Sequence, residues 1–122
     1  MVDSSGWLEY FADTTNGAFF AKPIEKTEEL MVPSITLTEV FKKILIEKDE
    51  TTALKVAAHM RQGRVVNLDA DLAVTAAKLG RDHKLPLADS IILATAKAFN
   101  AVLWTQDEDF KNLENVRYVP KR

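Results

Sequence analysis

Apolar residues follow two rhythms along this chain, short contiguous runs and longer stretches with one-turn spacing. LMVPS (Leu30–Ser34), RVVNL (Arg64–Leu68), AVLWT (Ala101–Thr105) and Val116–Val119 are short runs that read as strands, and Met1–Asp3 is a short apolar start. The stretches between them are helical. Leu37, Val40, Phe41, Ile44 and Leu45 share one helix face, with lysines and glutamates opposite, and Thr36 is the expected cap. Ser4 or Ser5 is expected to cap a helix over Trp7–Ala12, and Asp13–Gly17 reads as a loop. Ala18–Leu30 is predicted helical, with Pro23 in its first turn or breaking it. Further helices are predicted over Thr52–Gln62, ended by Gly63, over Asp71–His83, and from Pro86 to Phe99. Strands separated by helices predict an α/β fold, a parallel sheet covered by helices on both faces.

Composition narrows the class. The 122 residues suit one domain, expected to span 1–122, and 47% hydrophobic with 28% charged residues is ordinary for a globular protein. There is no cysteine, which excludes disulfide scaffolds, thiolate metal sites and cysteine nucleophiles and is compatible with a reducing cytosol. No apolar run exceeds four residues, so no membrane span is expected. MVDSSGW has neither a basic nor an apolar leader region, so a cytoplasmic location is expected. Net charge is −2, which on its face argues against a nucleic-acid partner. If four acids are gathered around a cation, 14 acidic residues remain against 16 basic ones, and the rest of the surface is positive.

In an open α/β sheet the ligand site lies beyond the carboxyl ends of the strands. Four acids stand there. Asp3 ends the apolar start, Glu39 lies just inside the helix after LMVPS, Asp89 lies in the first turn of the Pro86–Phe99 helix, and Asp107 follows AVLWT with Glu108 and Asp109 behind it. Each has an ordinary explanation. Asp3 can cap the first helix, Glu39 completes a capping box with Thr36, Asp89 suits a helix N-terminus, and Asp107 and Asp109 suit a turn. Asp89 fits least well. It is the only acid in PLADSIILATAKAF, a helix apolar nearly all round, where a carboxylate is costly without partners. The joint argument is stronger, because four independent caps have no reason to converge on one sheet edge. Carboxylates about 5 Å apart repel by roughly 3 kcal/mol per pair at an effective dielectric near 20. Such a cluster protonates or holds a hard cation, and oxygen-only ligands point to Mg²⁺ or Mn²⁺.

These residues also form a family pattern. VDSSGWLEYF, VPSITLTEVFKKI and LPLADSIILATAKAFNAVLWTQDEDF together resemble the PIN-domain ribonucleases, and most of all the VapC-type toxins of toxin–antitoxin pairs. Leu85, Asp89, Ile92, Ala94, Thr95 and Ala96 fit one family motif, and Thr105, Asp107, Asp109 and Phe110 fit another. The resemblance implies a three-layer α/β/α fold with a central parallel sheet of four to five strands, in which the first strand neighbours AVLWT. It implies a metal-dependent endoribonuclease with Asp3, Glu39, Asp89 and Asp107 as catalytic residues. Asp3, Asp89 and Asp107 would hold Mg²⁺ or Mn²⁺, with Asp107 rather than Asp109 nearer the metal. Asp109, Ser4, Ser5 and Thr105 would support them. It further implies an RNA substrate, an antitoxin protein as partner and a homodimer, with faces near Phe19, Phe20 and Phe41 as contact surfaces. Only Met1 and Val2 precede Asp3, so the first strand is expected to be short.

Other features carry less. Lys42, Lys43, Arg61, Arg64 and Arg81 could guide an RNA backbone, although a solvated helix face is the simpler reading. His59 and His83 read as packing or surface histidines, and Trp7, Phe11, Phe41 and Trp104 fall at core spacings. No Gly-rich phosphate loop is present. A non-catalytic PIN-like scaffold and a receiver-like signalling domain are the rival classes. A scaffold has no physical need to confine four repelling charges. A receiver would need paired acids after the first strand and a lysine after the last.

Overall fold

The computed structural model describes residues 1–122. In chain order the elements are α1 (Ser4–Phe11), α2 (Gly17–Ile24), β1 (Met31–Pro33), α3 (Ser34–Glu47), α4 (Glu50–Met60), β2 (Arg64–Val66), α5 (Ala70–His83), α6 (Leu87–Ala98), β3 (Leu103–Thr105), a 3₁₀ turn over Glu108–Phe110, and β4 (Val116–Tyr118). Aspartates set three helix starts. Asp3 accepts from the Gly6 amide at 2.9 Å, Asp49 from Thr52 at 2.7 Å and Asp69 from Leu72 at 2.8 Å. The first helix is thus capped by Asp3 and not by Ser4 or Ser5, which lie inside it.

Two other boundaries differ from expectation. Pro23 sits in the last turn of α2, so the helix stops at Ile24 instead of running on to Leu30. Proline there removes one amide donor and crowds the turn before it, and this ends the helix early. α3 starts at Ser34, directly after the extended Pro33, so Thr36 lies within its first turn and is fully buried. The capping box between Thr36 and Glu39 does not form, and the Thr36 hydroxyl has no hydrogen-bond partner.

The expected sheet is present as two parallel pairs. β1 pairs with β2, Met31 opposite Arg64, and β3 pairs with β4, Leu103 opposite Val116. Val2 joins Trp104 by a single parallel bridge, with the Asp3 amide donating to the Trp104 carbonyl at 3.2 Å and the Trp104 amide to the Met1 carbonyl at 2.9 Å. The first strand therefore neighbours β3, as the resemblance implies, but contributes only one bridge. Each named strand has three residues, about 10 Å of extended chain, which limits how far the pairs extend.

Helix packing supplies the core. The main apolar cluster gathers Val2, Trp7, Phe20, Val32, Val40 and Met60 from both ends of the first half. Two smaller clusters share α6. Ile92, Leu93 and Ala96 face Leu103 and Phe110, while Ile91 and Ala94 face Val66, Leu72 and Ala76. Seven consecutive α6 residues, Ser90–Ala96, are buried, as expected of a helix apolar all round. Its polar members satisfy themselves on their own backbone, Ser90 donating to Leu87 at 2.8 Å and Thr95 to Ile91 at 2.8 Å. Gly6 permits the closest approach at the start of α1. A Cβ there would stand 2.6 Å from Val2 Cγ1 and 2.7 Å from Phe20 Cδ1, so any larger residue would have to displace the buried Val2 or Phe20 side chain. His59 packs edge-on against Trp7, Tyr10 and Phe11, which fits the reading of a packing histidine.

Candidate functional site

Four chain segments bring acids to one edge. Asp3 leaves the Val2–Trp104 bridge, Glu39 projects from α3, Asp89 stands in the first turn of α6, and Asp107 and Asp109 occupy the turn after β3. One carboxylate oxygen each from Asp89, Asp107 and Asp109 lie within 4.8 Å of one another. Asp107 and Asp109 thus belong to the same group, where the sequence pattern placed Asp107 nearer. Asp3 lies outside this tight triplet but close enough for its charge to act on Asp89.

Asp3 is held on all sides. It is buried, with Oδ1 accepting from the Gly6 amide at 2.9 Å and from Ser5 Oγ at 3.2 Å, and Oδ2 accepting from Thr105 Oγ1 at 2.5 Å. Burial raises its carboxyl above the usual range. The hydrogen bonds from Thr105, Gly6 and Ser5 pull it back, and the Asp107 charge pushes it up again. Oδ1 thereby uses both of its lone pairs, and Oδ2 retains one for a further partner. Thr105 also accepts from the Asp107 amide at 2.9 Å, so one buried hydroxyl ties Asp3 to the turn that carries the other acids. Asp107 in turn caps the 3₁₀ turn by accepting from the Asp109 amide at 2.9 Å.

Asp89 is held differently. Its carboxyl is pushed up to about 7, first by burial and then by the charges of Asp107, Asp3, Glu39 and Asp109. Four neighbours of the same sign load one side chain, which is the convergence that four independent caps would not produce. Glu39, freed from a capping box, accepts from Ser4 Oγ at 2.5 Å. That bond ties α1 to α3 and leaves the second Glu39 oxygen available.

The donor set fits a hard divalent cation. It is all carboxylate, its members are close enough to share one ion, and without one, burial and then their mutual repulsion hold Asp89 partly protonated near neutral pH. Asp3 would join through the remaining lone pair on Oδ2.

A family model described as PIN domain matches residues 1–116. The chain belongs to the PIN domain family. Solved structures share this PIN fold. A toxin–antitoxin complex from Klebsiella pneumoniae superposes with a TM-score of 0.79 at 23% identity, covering 95% of this chain and 93% of that one. VapBC2 from Rickettsia felis, bound to a DNA fragment from its promoter, gives 0.74 at 16% identity over 98% and 96% of the two chains. DNA-bound VapBC from Salmonella typhimurium gives 0.75 at 16% identity over the same shares. No curated protein sequence matches the chain.

Other expected roles change in this PIN fold. Phe20 is fully buried and so is not a contact surface, and Phe19 packs against Phe20 and Trp104 with ring centroids 5.1 and 5.0 Å away. Phe41 is half-buried beside an α3–α4 groove lined by Leu37, Leu45 and Arg61. Among the basic residues considered as RNA guides, Lys43 pairs with Glu47, Arg81 with Asp82, and the Arg64 guanidinium lies over the Phe99 ring. Sequence reasoning missed Asn16 and Gln106, two buried amides that bond to each other at 2.8 Å next to the acidic turn. They lie 90 residues apart, and no local pattern could pair them. No helix is long and apolar enough to cross a membrane.

Proposed function

We propose that this PIN domain, spanning 1–122, is a divalent-metal-dependent endoribonuclease acting in the cytoplasm. It hydrolyses RNA phosphodiester bonds as the toxin of a toxin–antitoxin pair. The observation that carries the chemistry is the approach of Asp89, Asp107 and Asp109 to within 4.8 Å, with Asp3 and Glu39 adding their charge to Asp89. Asp3, Asp89 and Asp107 would hold Mg²⁺ or Mn²⁺, with Asp109 in support. When bound, the ion supplies charge relief at the RNA phosphate and an activated water. It also reverses the sign of the local field, which lets an acidic edge accept a polyanion.

The chain's own groups divide the remaining work. Glu39 is fixed through Oε1 by Ser4, and its other oxygen takes a proton from the attacking water. Thr105 and Ser5 hold the Asp3 carboxylate, and Thr105 also holds the backbone of Asp107. The likeness to toxin–antitoxin complexes supports an antitoxin protein as partner. The assembled form is a homodimer, as the resemblance to VapC-type toxins implies. The half-buried Phe41 and the exposed Leu45 beside the α3–α4 groove offer that partner an apolar contact.

The test is cleavage of RNA by the purified protein with Mg²⁺ or Mn²⁺. Activity should stop in EDTA, and Asp89→Asn should abolish it without changing circular dichroism. Cleavage that persists in EDTA, or an active Asp89→Asn protein, would overturn the proposal.

A further inference from the structure

We infer that Asn16 and Gln106 form a buried amide clamp that positions the acidic turn after β3, making both of them positioning residues for the metal site. The inference rests on the reading of Asp3, Asp89 and Asp107, with Asp109 in support, as that site. Asn16 is 3% exposed and Gln106 5% exposed. The Asn16 amide nitrogen donates to Gln106 Oε1 at 2.8 Å and to the Pro120 carbonyl at 3.0 Å. One side chain thus uses both of its donor hydrogens to join the α1–α2 loop, the end of β3 and the chain beyond β4.

The local role of Asn16 makes this arrangement informative. Asn16 stands at the N-cap position of α2, where an asparagine ordinarily accepts from the helix's own amides. Its side chain makes no such bond. It is directed to partners 90 and 104 residues away. Burying two primary amides is unfavourable unless they are paired, and an apolar pair would fill the same space more cheaply. The amides gain geometry instead, because each bond has a fixed direction and length.

That geometry acts on the acids. Gln106 lies between Thr105, whose hydroxyl reaches Asp3, and Asp107. Asp107 is held by its amide to Thr105 on one side, and through Gln106 to Asn16 on the other. The turn needs such a hold. A cavity of about 370 Å³, lined by Gln106, Asp107, Glu108, Asp109, Tyr118 and Lys121, opens beside it. Asp109 is exposed beside that space, and its carboxylate lies within 4.8 Å of those of Asp89 and Asp107, so like charges act to spread the turn. The clamp opposes this splaying, so the acids stay gathered before any cation arrives.

Two measurements on the full chain test the clamp. Asn16→Ala, and the volume-conserving Gln106→Met, should each weaken Mn²⁺ binding about tenfold, the loss typical when the outer partner of a ligand is removed. The double variant should lose no more than the worse single, because the two residues act through one bond. Hydrogen exchange should speed up at the Asp107 and Asp109 amides and stay unchanged along α6. In RNA cleavage the Mn²⁺ concentration for half activity should rise while KM for RNA holds. A lower melting temperature with unchanged Mn²⁺ affinity and unchanged exchange at the turn would reduce the pair to ordinary packing and overturn the clamp. Additive losses in the double variant would overturn it as well. Wild-type protein that binds no Mn²⁺ would instead overturn the metal-site reading, and this role with it.

Discussion

Asp3 and Asp89 face the same acidic edge and both have raised carboxyl pKa values, yet their surroundings are opposite. Asp3 is buried but receives three hydrogen bonds, from Thr105, Gly6 and Ser5, and these offset part of its burial. Asp89 is only half-buried, and four carboxylates add to its burial with no hydrogen bond to offset them. One acid is held by the fold; the other is opposed by it. Carboxyls perturbed in this way cluster at functional sites. In the proposed metal site, Asp3 would be the ligand fixed in advance and Asp89 the group whose charge state the cation would control.

This contrast predicts the effects of substitution, the largest at Asp89. Asp89→Asn should reduce RNA cleavage below detection. In the same protein, freed of metal by EDTA, the melting temperature at pH 8 should rise by a few degrees. The gain is about 1–2 kcal/mol after discounting the repulsion for solvent screening at a half-exposed group. Added Mg²⁺ stabilises the folded wild type by mass action and should do so far less in the variant. Calorimetry of both proteins with EDTA and with Mg²⁺ measures both shifts. A variant less stable than wild type in EDTA would mean that Asp89 is supported by the fold in the way Asp3 is.

Thr105→Val should act next most strongly, and in the opposite direction. The valine keeps the volume but removes the donor to Asp3 and the acceptor for the Asp107 amide. Loss of a buried hydrogen-bonding group costs about 1–3 kcal/mol, readable in a denaturant melt. The Asp3 carboxyl should titrate higher than in wild type, since its leading hydrogen bond is gone, and NMR titration of that carboxyl would show it.

The dependence on pH follows from Asp89. Its folded-state pKa of about 7 lies above the ordinary 3.8, so the folded chain binds this proton more tightly than the unfolded chain does. Metal-free protein should therefore lose stability as pH rises from about 4 to about 7 and change little above that, with respect to this group. The slope should shrink in Asp89→Asn, leaving the part that the raised Asp3 carboxyl contributes. Melting temperatures in EDTA across that range provide the check, and a slope undiminished by the substitution would assign it to another group. The smallest effect is expected at Ser5→Ala. Its 3.2 Å bond to Asp3 is the longest of the three, and its loss should change stability by less than about 0.5 kcal/mol.

Much of this was legible in the sequence because it depends on local chemistry. The largely apolar stretch from Ser90 to Ala96 announced a buried helix, and that apolar setting by itself made Asp89 anomalous. Acids placed just past apolar runs reached one edge because parallel strands put their carboxyl ends on the same side. The strand runs themselves follow from short-range preferences that hold in any fold. Element boundaries were less secure, since the exact first residue of α3 depends on how Pro33 leaves β1. Starting the helix at Ser34 buried Thr36 and released Glu39 to Ser4, a change no capping rule predicts.

Tertiary structure alone decided the rest. Asp109 joined the triplet because the 3₁₀ turn after β3 folds it back beside Asp107. Phe20 became core because α2 packs inward across α1, whereas its sequence neighbour Phe19 stayed half-exposed. Asn16 met Gln106 across 90 residues, and Ser4 met Glu39 across 35. Periodicity and capping report what a residue needs from its nearest turns of chain. They hold no record of which distant segment arrives to satisfy a side chain, because that is set by packing of whole helices around a shared core.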